Sequence, residues 1–232
     1  MSRPLLVLRP EPSASRTAAA AAALGLEVRK APLFNISPLN WSPPDAADFD
    51  AVMLTSANAA RFGGAALDAY LTLPCYAVGE ATAEAAAERG FADVREGSSD
   101  AAALMAQLRQ DDFRKVLHVC GRDVTPTAFL PSQRVPVYEA EAVVRLPSAA
   151  ADALAEGALV LLHSRRAAQT FAGLSPPQGG VDLLAISAAV AAAAGDGWRS
   201  VFVADRPRDS AMLELATSLC QGAPASEQAG GA

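Results

Sequence analysis

The chain has 232 residues, of which 51% are hydrophobic, and a formal net charge of −6. This length is enough for one large domain or two small ones with a buried core. The acidic balance argues against nucleic acid as a partner. We expect no membrane segment, because no apolar run approaches the roughly 20 residues that a membrane span needs. The N-terminal apolar run, which Arg9 ends, is too short for a signal peptide.

The cysteines give no sign of a disulfide framework or a metal centre. Cys75, Cys120 and Cys220 are odd in number, far apart and outside any CxxC pattern. No His, Cys, Asp or Glu cluster has metal-ligand spacing. We therefore expect a reduced, cytoplasmic protein without a metal.

Apolar, strand-like runs alternate with alanine-rich helical segments along the chain. The first part predicts in turn a strand at 4–9, a helix at 13–25, extended chain at 26–36, a Pro-rich linker at 37–48, a strand at 49–56 and a helix from about Asn58. Next come a strand, a Gly turn and a helix within 73–91, a strand at 92–97, a helix at 98–109, a strand at 114–123, a short helical piece and extended chain at 134–146. Strand, turn and helix then repeat in 157–174, 181–198 and 199–219, before a disordered tail at 220–232.

This alternation predicts an α/β fold with parallel sheets and right-handed crossovers. Two halves share one spacing, because Ser56 and Gly79 are 23 positions apart, as are Ser164 and Ser187. We therefore predict two similar domains. One domain is discontinuous and comprises residues 1–36 and 146–219, and the other is continuous and comprises residues 46–134. Two linkers, 37–45 and 135–145, form a two-stranded ribbon between them.

Turns at the carboxyl ends of the predicted strands carry most of the candidate site residues. Ligands bind beyond these ends in open parallel sheets, and free N–H groups at helix starts attract anions. Hydroxyls, glycines and arginines occur there repeatedly, which predicts a cleft lined with hydrogen-bond donors. The alternative is that the hydroxyls only cap helices. The candidates for binding an anionic substrate are Arg9, Thr55, Ser56, Gly79, Thr82, Gly121, Arg122, Ser164, Arg165 and Ser187.

Other chemistries fit the sequence poorly. There is no GxSxG elbow for a serine hydrolase, and "GEAT" at 79–82 matches neither GxGxxG nor a P-loop. His118 lies within the apolar run "VLHVC" and reads as a core residue, whereas His163 precedes Ser164 and points to the opposite face. Tyr138 lies in the predicted ribbon, either packed in the core or facing the cleft as a proton donor.

Several motifs in order resemble the uroporphyrinogen-III synthase family. They are "VLRP" with "LGLEV" and "APLF", then "FDAVMLTSANAARF", "YAVGEATAEAAAERGF", "VPVYEAEAV" and "VLLHSRRAAQTF", which together span residues 4–219. The resemblance implies two flavodoxin-like α/β domains joined by a two-stranded ribbon. It also implies a cofactor-free, monomeric, cytoplasmic lyase of haem biosynthesis, in transient contact with the preceding enzyme of its pathway.

The family's reaction, as this resemblance implies it, starts from hydroxymethylbilane, a linear tetrapyrrole with many carboxylates. The bilane loses its ring-A hydroxyl as water, forms a spiro-pyrrolenine through ring D, and recloses with ring D inverted. Tyr138 matches the family tyrosine that assists the loss of the hydroxyl. Thr82 and Ser164 match family hydroxyls near the cleft, and Ser56 and Gly79 match the family's turns.

The sequence also departs from the family pattern in its second half. Ser187 stands for a glycine, Val190 for a threonine and His163 for a threonine. Arg165 and Arg166 are our hypothesis for what compensates. Two alternatives to the synthase stay open: a non-catalytic module that binds an anionic small molecule, and a nucleotide-linked enzyme on a flavodoxin-like sheet.

Overall fold

The computed structural model describes residues 3–97, 111, 113–123 and 132–221. The chain forms two compact units. Unit 1 comprises residues 1–35 and 142–232, and unit 2 comprises residues 36–141. The predicted helix at 98–109, the helical piece after 123 and most of the tail at 220–232 lie outside the described residues. None of the described helices is long and apolar enough to cross a membrane.

Unit 1 contains a five-stranded sheet in which each neighbouring pair is parallel. Its strands in chain order are β1 (Leu5–Val7), β2 (Val28–Lys30), β9 (Leu159–Leu162), β10 (Asp182–Ala185) and β11 (Ser200–Val203). They lie side by side in the order β11-β10-β9-β1-β2. The helices of this unit are Ser13–Ala23, Ser148–Ala155, Arg165–Gly173, Ala188–Ala194 and Asp209–Gln221.

The second sheet has six strands in the order β3-β8-β7-β4-β5-β6. The strands are β3 (Phe34–Pro38), β4 (Ala51–Leu54), β5 (Cys75–Val78), β6 (Val94–Gly97), β7 (Val116–Gly121) and β8 (Ser132–Ala142). The strands β4 to β8 pair in parallel. The described helices of this part are Ala57–Phe62 and Glu80–Arg89, with 3-10 turns at Ala46–Asp48 and Ala65–Tyr70.

The outer pair β3 and β8 runs antiparallel. Leu39 N donates to Val137 O at 2.9 Å, and Val143 N donates to Leu33 O at 3.0 Å, so the residue numbers rise on one strand as they fall on the other. The chain changes unit within β3 and near the end of β8. The predicted α/β class with parallel sheets is confirmed, whereas the antiparallel pair expected as a separate ribbon is part of the six-stranded sheet.

The inner strands of each sheet are buried on both faces, which explains the unbroken apolar runs in the sequence. All four residues of β4, β9 and β10 are buried, as expected when crossover helices cover both faces of a parallel sheet. The helices are rich in alanine and pack with small buried residues such as Ala59, Ala60, Ala85 and Ala86. This rigid framework holds the turns at the carboxyl ends of the strands.

Candidate functional site

In unit 2 the parallel register brings several predicted site residues to one edge of the sheet. Leu54 of β4 pairs with Ala77 of β5 and with Val119 of β7. The turns that follow these strands therefore begin at the same edge. Thr55, Ser56, Gly79, Gly121 and Arg122 all lie on this edge, which we call the carboxyl edge of unit 2.

Thr55 and Ser56 use their hydroxyls differently. Ser56 is the N-cap of the helix Ala57–Phe62, and its Oγ accepts a hydrogen bond from Asn58 N at 3.2 Å. Thr55 Oγ1 lies 3.1 Å from Nε2 of the fully buried His118. The pair was not predicted, although Thr55 and His118 occupy the same face of neighbouring strands. The Ser56 hydroxyl is thus occupied by the cap, whereas the Thr55 hydroxyl keeps further hydrogen-bonding capacity.

Gly79 turns the chain from β5 into the helix Glu80–Arg89. Its φ of +76° is a conformation that L-residues with a side chain rarely adopt, and nothing lies within 4 Å of where a Cβ would stand. Thr82 lies in the first turn of this helix and is 6% exposed. The helix begins with N–H groups that have no partner within the helix. The turn at Gly79 therefore has the backbone geometry of an anion site, but anion binding there and a role for the Thr82 hydroxyl both stay predictions.

Gly121 and Tyr138 are in direct contact. They pair across β7 and β8, and Arg122 N donates to Tyr138 O at 2.9 Å. A Cβ on Gly121 would stand 2.8 Å from Cζ of Tyr138 and 3.0 Å from its phenol oxygen. Phe62 flanks the same ring with centroids 6.3 Å apart. The phenol ring of Tyr138 therefore lies directly over the Gly121 backbone at the carboxyl edge, and the exposed Arg122 beside it forms an ion pair with Glu139.

In unit 1 Ser164 repeats the geometry of Ser56. Ser164 has φ −154° and ψ 153°, and Ser56 has φ −157° and ψ 140°. Ser164 Oγ accepts from Ala167 N at 3.1 Å and caps the helix Arg165–Gly173. Arg165 is exposed on the first turn of that helix. Both predicted strand-end turns thus adopt one conformation in two different sheets.

Ser187 occupies the corresponding place after β10. It is extended at φ −159° and ψ 162° and precedes the helix Ala188–Ala194, but its side chain makes no capping hydrogen bond. Val190, which stands for a family threonine, is 5% exposed and packs inward. Ser187 therefore has the N-cap position without the capping contact that Ser164 makes.

Arg9 belongs to a polar network that sequence reasoning missed. Its Nη1 donates to Thr17 Oγ1 at 3.1 Å and to Asp209 Oδ1 at 3.3 Å. His163 Nε2 lies 2.7 Å from Asp209 Oδ1, and Thr17 Oγ1 donates to Asp209 Oδ2 at 2.7 Å. Asp209 begins the last helix and is far from the others in sequence, so no local pattern placed it beside them. Because an internal carboxylate holds the Arg9 guanidinium, a substrate contact by Arg9 stays a prediction.

The charge states of this network follow from burial and hydrogen bonding. Burial lowers the pKa of His163, and this outweighs the opposing effect of Asp209. Burial alone would raise the pKa of Asp209, but the hydrogen bonds from His163 and Thr17 and the charge of Arg9 lower it overall. Near neutral pH the network therefore contains a neutral imidazole that donates to an ionised carboxylate.

The guanidinium of Arg166 packs against an aromatic ring of its own unit. Its guanidinium carbon lies 4.8 Å from the ring centroid of Phe34, the first residue of β3. The part of the chain that the structure describes holds no group of three or more His, Cys, Asp or Glu side chains arranged as metal ligands.

These features define a class of protein: a two-unit α/β protein whose parallel sheets present hydroxyls, backbone N–H groups and arginines at their carboxyl edges. A sequence model described as "Uroporphyrinogen-III synthase HemD" matches residues 15–214. The chain belongs to the uroporphyrinogen-III synthase family, which are lyase-type cyclases of tetrapyrrole biosynthesis. A comparison with curated proteins gives no significant match.

Solved structures of the same family share the fold. Uroporphyrinogen-III synthetase from Helicobacter pylori is similar with a TM-score of 0.66 and 18% identity, over 94% of this chain and 99% of that one. A mutant uroporphyrinogen III synthase from the extremely thermophilic bacterium Thermus thermophilus is similar with a TM-score of 0.53 and 15% identity, over 94% and 99%. The predicted family and enzyme class are confirmed.

Proposed function

We propose that the chain converts hydroxymethylbilane to uroporphyrinogen III in the pathway that leads to haem. The observation that carries this proposal is the equivalence of Ser56 and Ser164. Both follow a fully buried strand, share one backbone conformation and open a helix, one in each unit. A polycarboxylate substrate suits a protein that repeats a donor-rich turn in two sheets.

Carboxylate binding is the first task of the proposed mechanism. The helices Glu80–Arg89 and Arg165–Gly173 begin at the carboxyl edges with free N–H groups and the positive end of the helix dipole. Thr55 adds a hydroxyl and Arg165 an exposed guanidinium. Each contact restricts a flexible bilane, so ring D approaches ring A in the orientation that the rearrangement requires.

Loss of water from ring A is the first chemical step. The ring-A hydroxyl leaves with a proton, and the pyrrole nitrogen lone pair stabilises the resulting azafulvene cation. Tyr138 is our candidate donor of that hydrogen bond or proton, because its phenol lies at the carboxyl edge against Gly121 and Phe62. A general acid contributes about 10²–10⁴-fold to such a step. The Tyr138→Phe variant should fold and lose turnover by a factor in this range.

Ring D then attacks through its already substituted α-carbon and forms the spiro-pyrrolenine. The bond from that carbon to the neighbouring bridge carbon breaks, the bridge carbon rejoins ring D at its free α-position, and that position loses its proton. Without control of geometry the free α-position attacks directly and ring D is not inverted. The enzyme's main contribution is therefore to hold ring D in the orientation that leads to inversion.

Product isomers test the proposal. Purified protein is mixed with hydroxymethylbilane, and the uroporphyrinogens are oxidised and separated into isomers I and III by chromatography. We expect isomer III at a rate well above spontaneous closure. Only isomer I, at the uncatalysed rate, would overturn the synthase proposal and favour a non-catalytic module that binds an anionic small molecule.

The proposal also covers the oligomeric state, the location, the cofactor requirement and the partner enzyme. We propose that it acts as a monomer in the cytoplasm, without a cofactor, and receives the unstable bilane through transient contact with the enzyme that makes it. Light scattering measures the mass of the protein in solution, and a stable dimer would contradict the monomer.

A further inference from the structure

His118 and Thr55 form a polar pair on one face of the unit 2 sheet, beside a cluster of buried hydrophobic residues. His118 pairs with Met53 in register, and Thr55 lies two residues beyond Met53 on the same face. The surrounding face is formed by Ala51, Met53, Tyr76 and Val116. His118 is fully buried, whereas Thr55 is partly exposed at the carboxyl edge. The pair thus links the interior of the sheet to the edge where we place the substrate.

The ring of His118 carries one proton near neutral pH. Burial, and to a smaller extent the charge of Arg134, lower its pKa to about 4. Arg134 lies opposite His118 on the neighbouring strand β8. Only one of the two ring nitrogens can then be the donor, and the other is a bare acceptor.

The surroundings of the two nitrogens decide where that proton lies. Nε2 is 3.1 Å from Thr55 Oγ1, but Nδ1 is buried and has no partner among the described residues. A proton on Nδ1 would leave a buried N–H without an acceptor, which proteins rarely tolerate. A proton on Nε2 leaves only an unused lone pair on Nδ1, and Nε2–H can donate to Thr55 Oγ1.

The position of this proton controls what the Thr55 hydroxyl can offer. If Thr55 donated to His118, its oxygen would present only lone pairs to the edge and would repel a carboxylate. If Thr55 accepts from His118, its own proton stays free for another acceptor. One buried imidazole therefore determines whether this hydroxyl favours or opposes an anion.

We propose that His118 is a positioning residue: its Nε2–H donates to Thr55 Oγ1 and thereby directs the Thr55 hydroxyl proton toward a substrate carboxylate. The identity of the carboxylate rests on the proposed function, but the orientation of the hydroxyl does not. His118 itself touches no substrate atom and acts through Thr55.

Nitrogen-15 NMR of the labelled wild-type protein tests the orientation directly. Two-bond proton–nitrogen correlations distinguish a protonated from a bare ring nitrogen, and the chain has only two histidines. His163 is an internal reference, because its Nε2 faces the Asp209 carboxylate, which only accepts. Through-bond assignment to the backbone identifies the His118 ring, which we expect to show protonated Nε2 and bare Nδ1 at neutral pH. A protonated Nδ1 on His118, alone or in addition, would overturn the proposal.

Kinetics on four variants test the consequence for binding. A hydrogen bond to a charged group is worth roughly tenfold or more in affinity. Thr55→Val should therefore raise KM for hydroxymethylbilane about tenfold, with a smaller change in kcat, whereas Thr55→Ser keeps the hydroxyl and stays near wild type. His118→Leu should raise KM in the wild-type background but not further in the Thr55→Val background.

The two proposals fail separately. An equal effect of His118→Leu in both backgrounds would mean that His118 acts by packing alone and would overturn its positioning role. The NMR measurement needs no variant, so it decides the orientation even if His118→Leu does not fold. A wild-type protein that forms only isomer I would overturn the proposed function and leave the orientation of Thr55 untouched.

Discussion

Adding one methyl group at Gly121 should disable the proposed acid without unfolding the protein. The Cβ of Gly121→Ala would stand 2.8 Å from Cζ of Tyr138 and 3.0 Å from Cε2 and the phenol oxygen. Carbon atoms in contact prefer about 3.5–4.0 Å. The ring must therefore move by about 1 Å, or the paired backbones of β7 and β8 must separate.

The expected effect on turnover follows from this displacement. A misplacement of about 1 Å in a catalytic group can lower the rate about 10²-fold. Overpacking costs about 1–3 kcal/mol of folding stability, which a domain of ordinary stability survives. Tyr138 is only partly buried, so displacing its ring should cost less than displacing a core side chain. We expect kcat to fall about 100-fold while the protein remains folded.

The assay is the initial rate of isomer III formation, with urea unfolding to measure stability. Gly173→Ala is the matched control, because Gly173 has nothing within 4 Å of its Cβ position and no positive φ, and it should keep wild-type kcat. In the Tyr138→Phe background, Gly121→Ala should add little further loss. A folded Gly121→Ala protein with wild-type kcat would refute the reasoning that the position of Tyr138 matters.

Three predictions concern stability and use urea unfolding. Hydrogen bonds from Arg199 and, to a smaller extent, from Arg3 lower the pKa of the buried Asp182 to about 2. The ionised carboxylate therefore contributes about 2–3 kcal/mol to the free energy of unfolding above pH 4, and this contribution is lost as pH falls toward 2. A stability difference between wild type and Asp182→Asn that stays constant from pH 5 to pH 2 would contradict this prediction. Asp209→Ala removes the acceptor of three donors and should cost about 3 kcal/mol, and a loss below about 1 kcal/mol would show that the network contributes little. Ser164→Ala should cost about 1 kcal/mol through its lost cap, whereas Ser187→Ala, which makes no capping hydrogen bond, should change stability by a few tenths; equal losses would refute the distinction.

Periodicity was enough to predict the fold class. The buried runs at β4 and β9 were apolar throughout and each ended in a hydroxyl turn, and the equal spacing in the two halves indicated duplication. Such signals are local, because a strand buried on both faces must be apolar along its whole length.

Strand limits in the ribbon were harder to predict. Residues 26–36 were predicted as one extended segment, but the structure divides this region into β2 (Val28–Lys30) and β3, and β3 continues to Pro38. The pairing of β3 with β8 joins residues about a hundred positions apart, so no local pattern indicates it. Pro38 at the end of β3 is compatible with an edge strand but does not identify β8 as its partner.

The candidate site was predictable at its turns and not in its side-chain contacts. Ser56 and Ser164 were predicted as caps from their place before helices, and Gly79 from its turn. The contact of Asp209 with Arg9 depends on how the last helix meets the first strand, which no local pattern encodes. The Thr55–His118 pair depends on the register between β4 and β7.

Carbon-13 labelling at two bonded carbons tests the central claim that the enzyme inverts ring D. The labels are placed at the bridge carbon between rings C and D and at the ring-D carbon attached to it. In the proposed rearrangement this bond breaks, so the one-bond carbon–carbon coupling present in the bilane should be absent from the enzymatic product. Spontaneous closure keeps the bond, so the same bilane without protein is the control. An enzymatic product that retains the coupling would contradict the account.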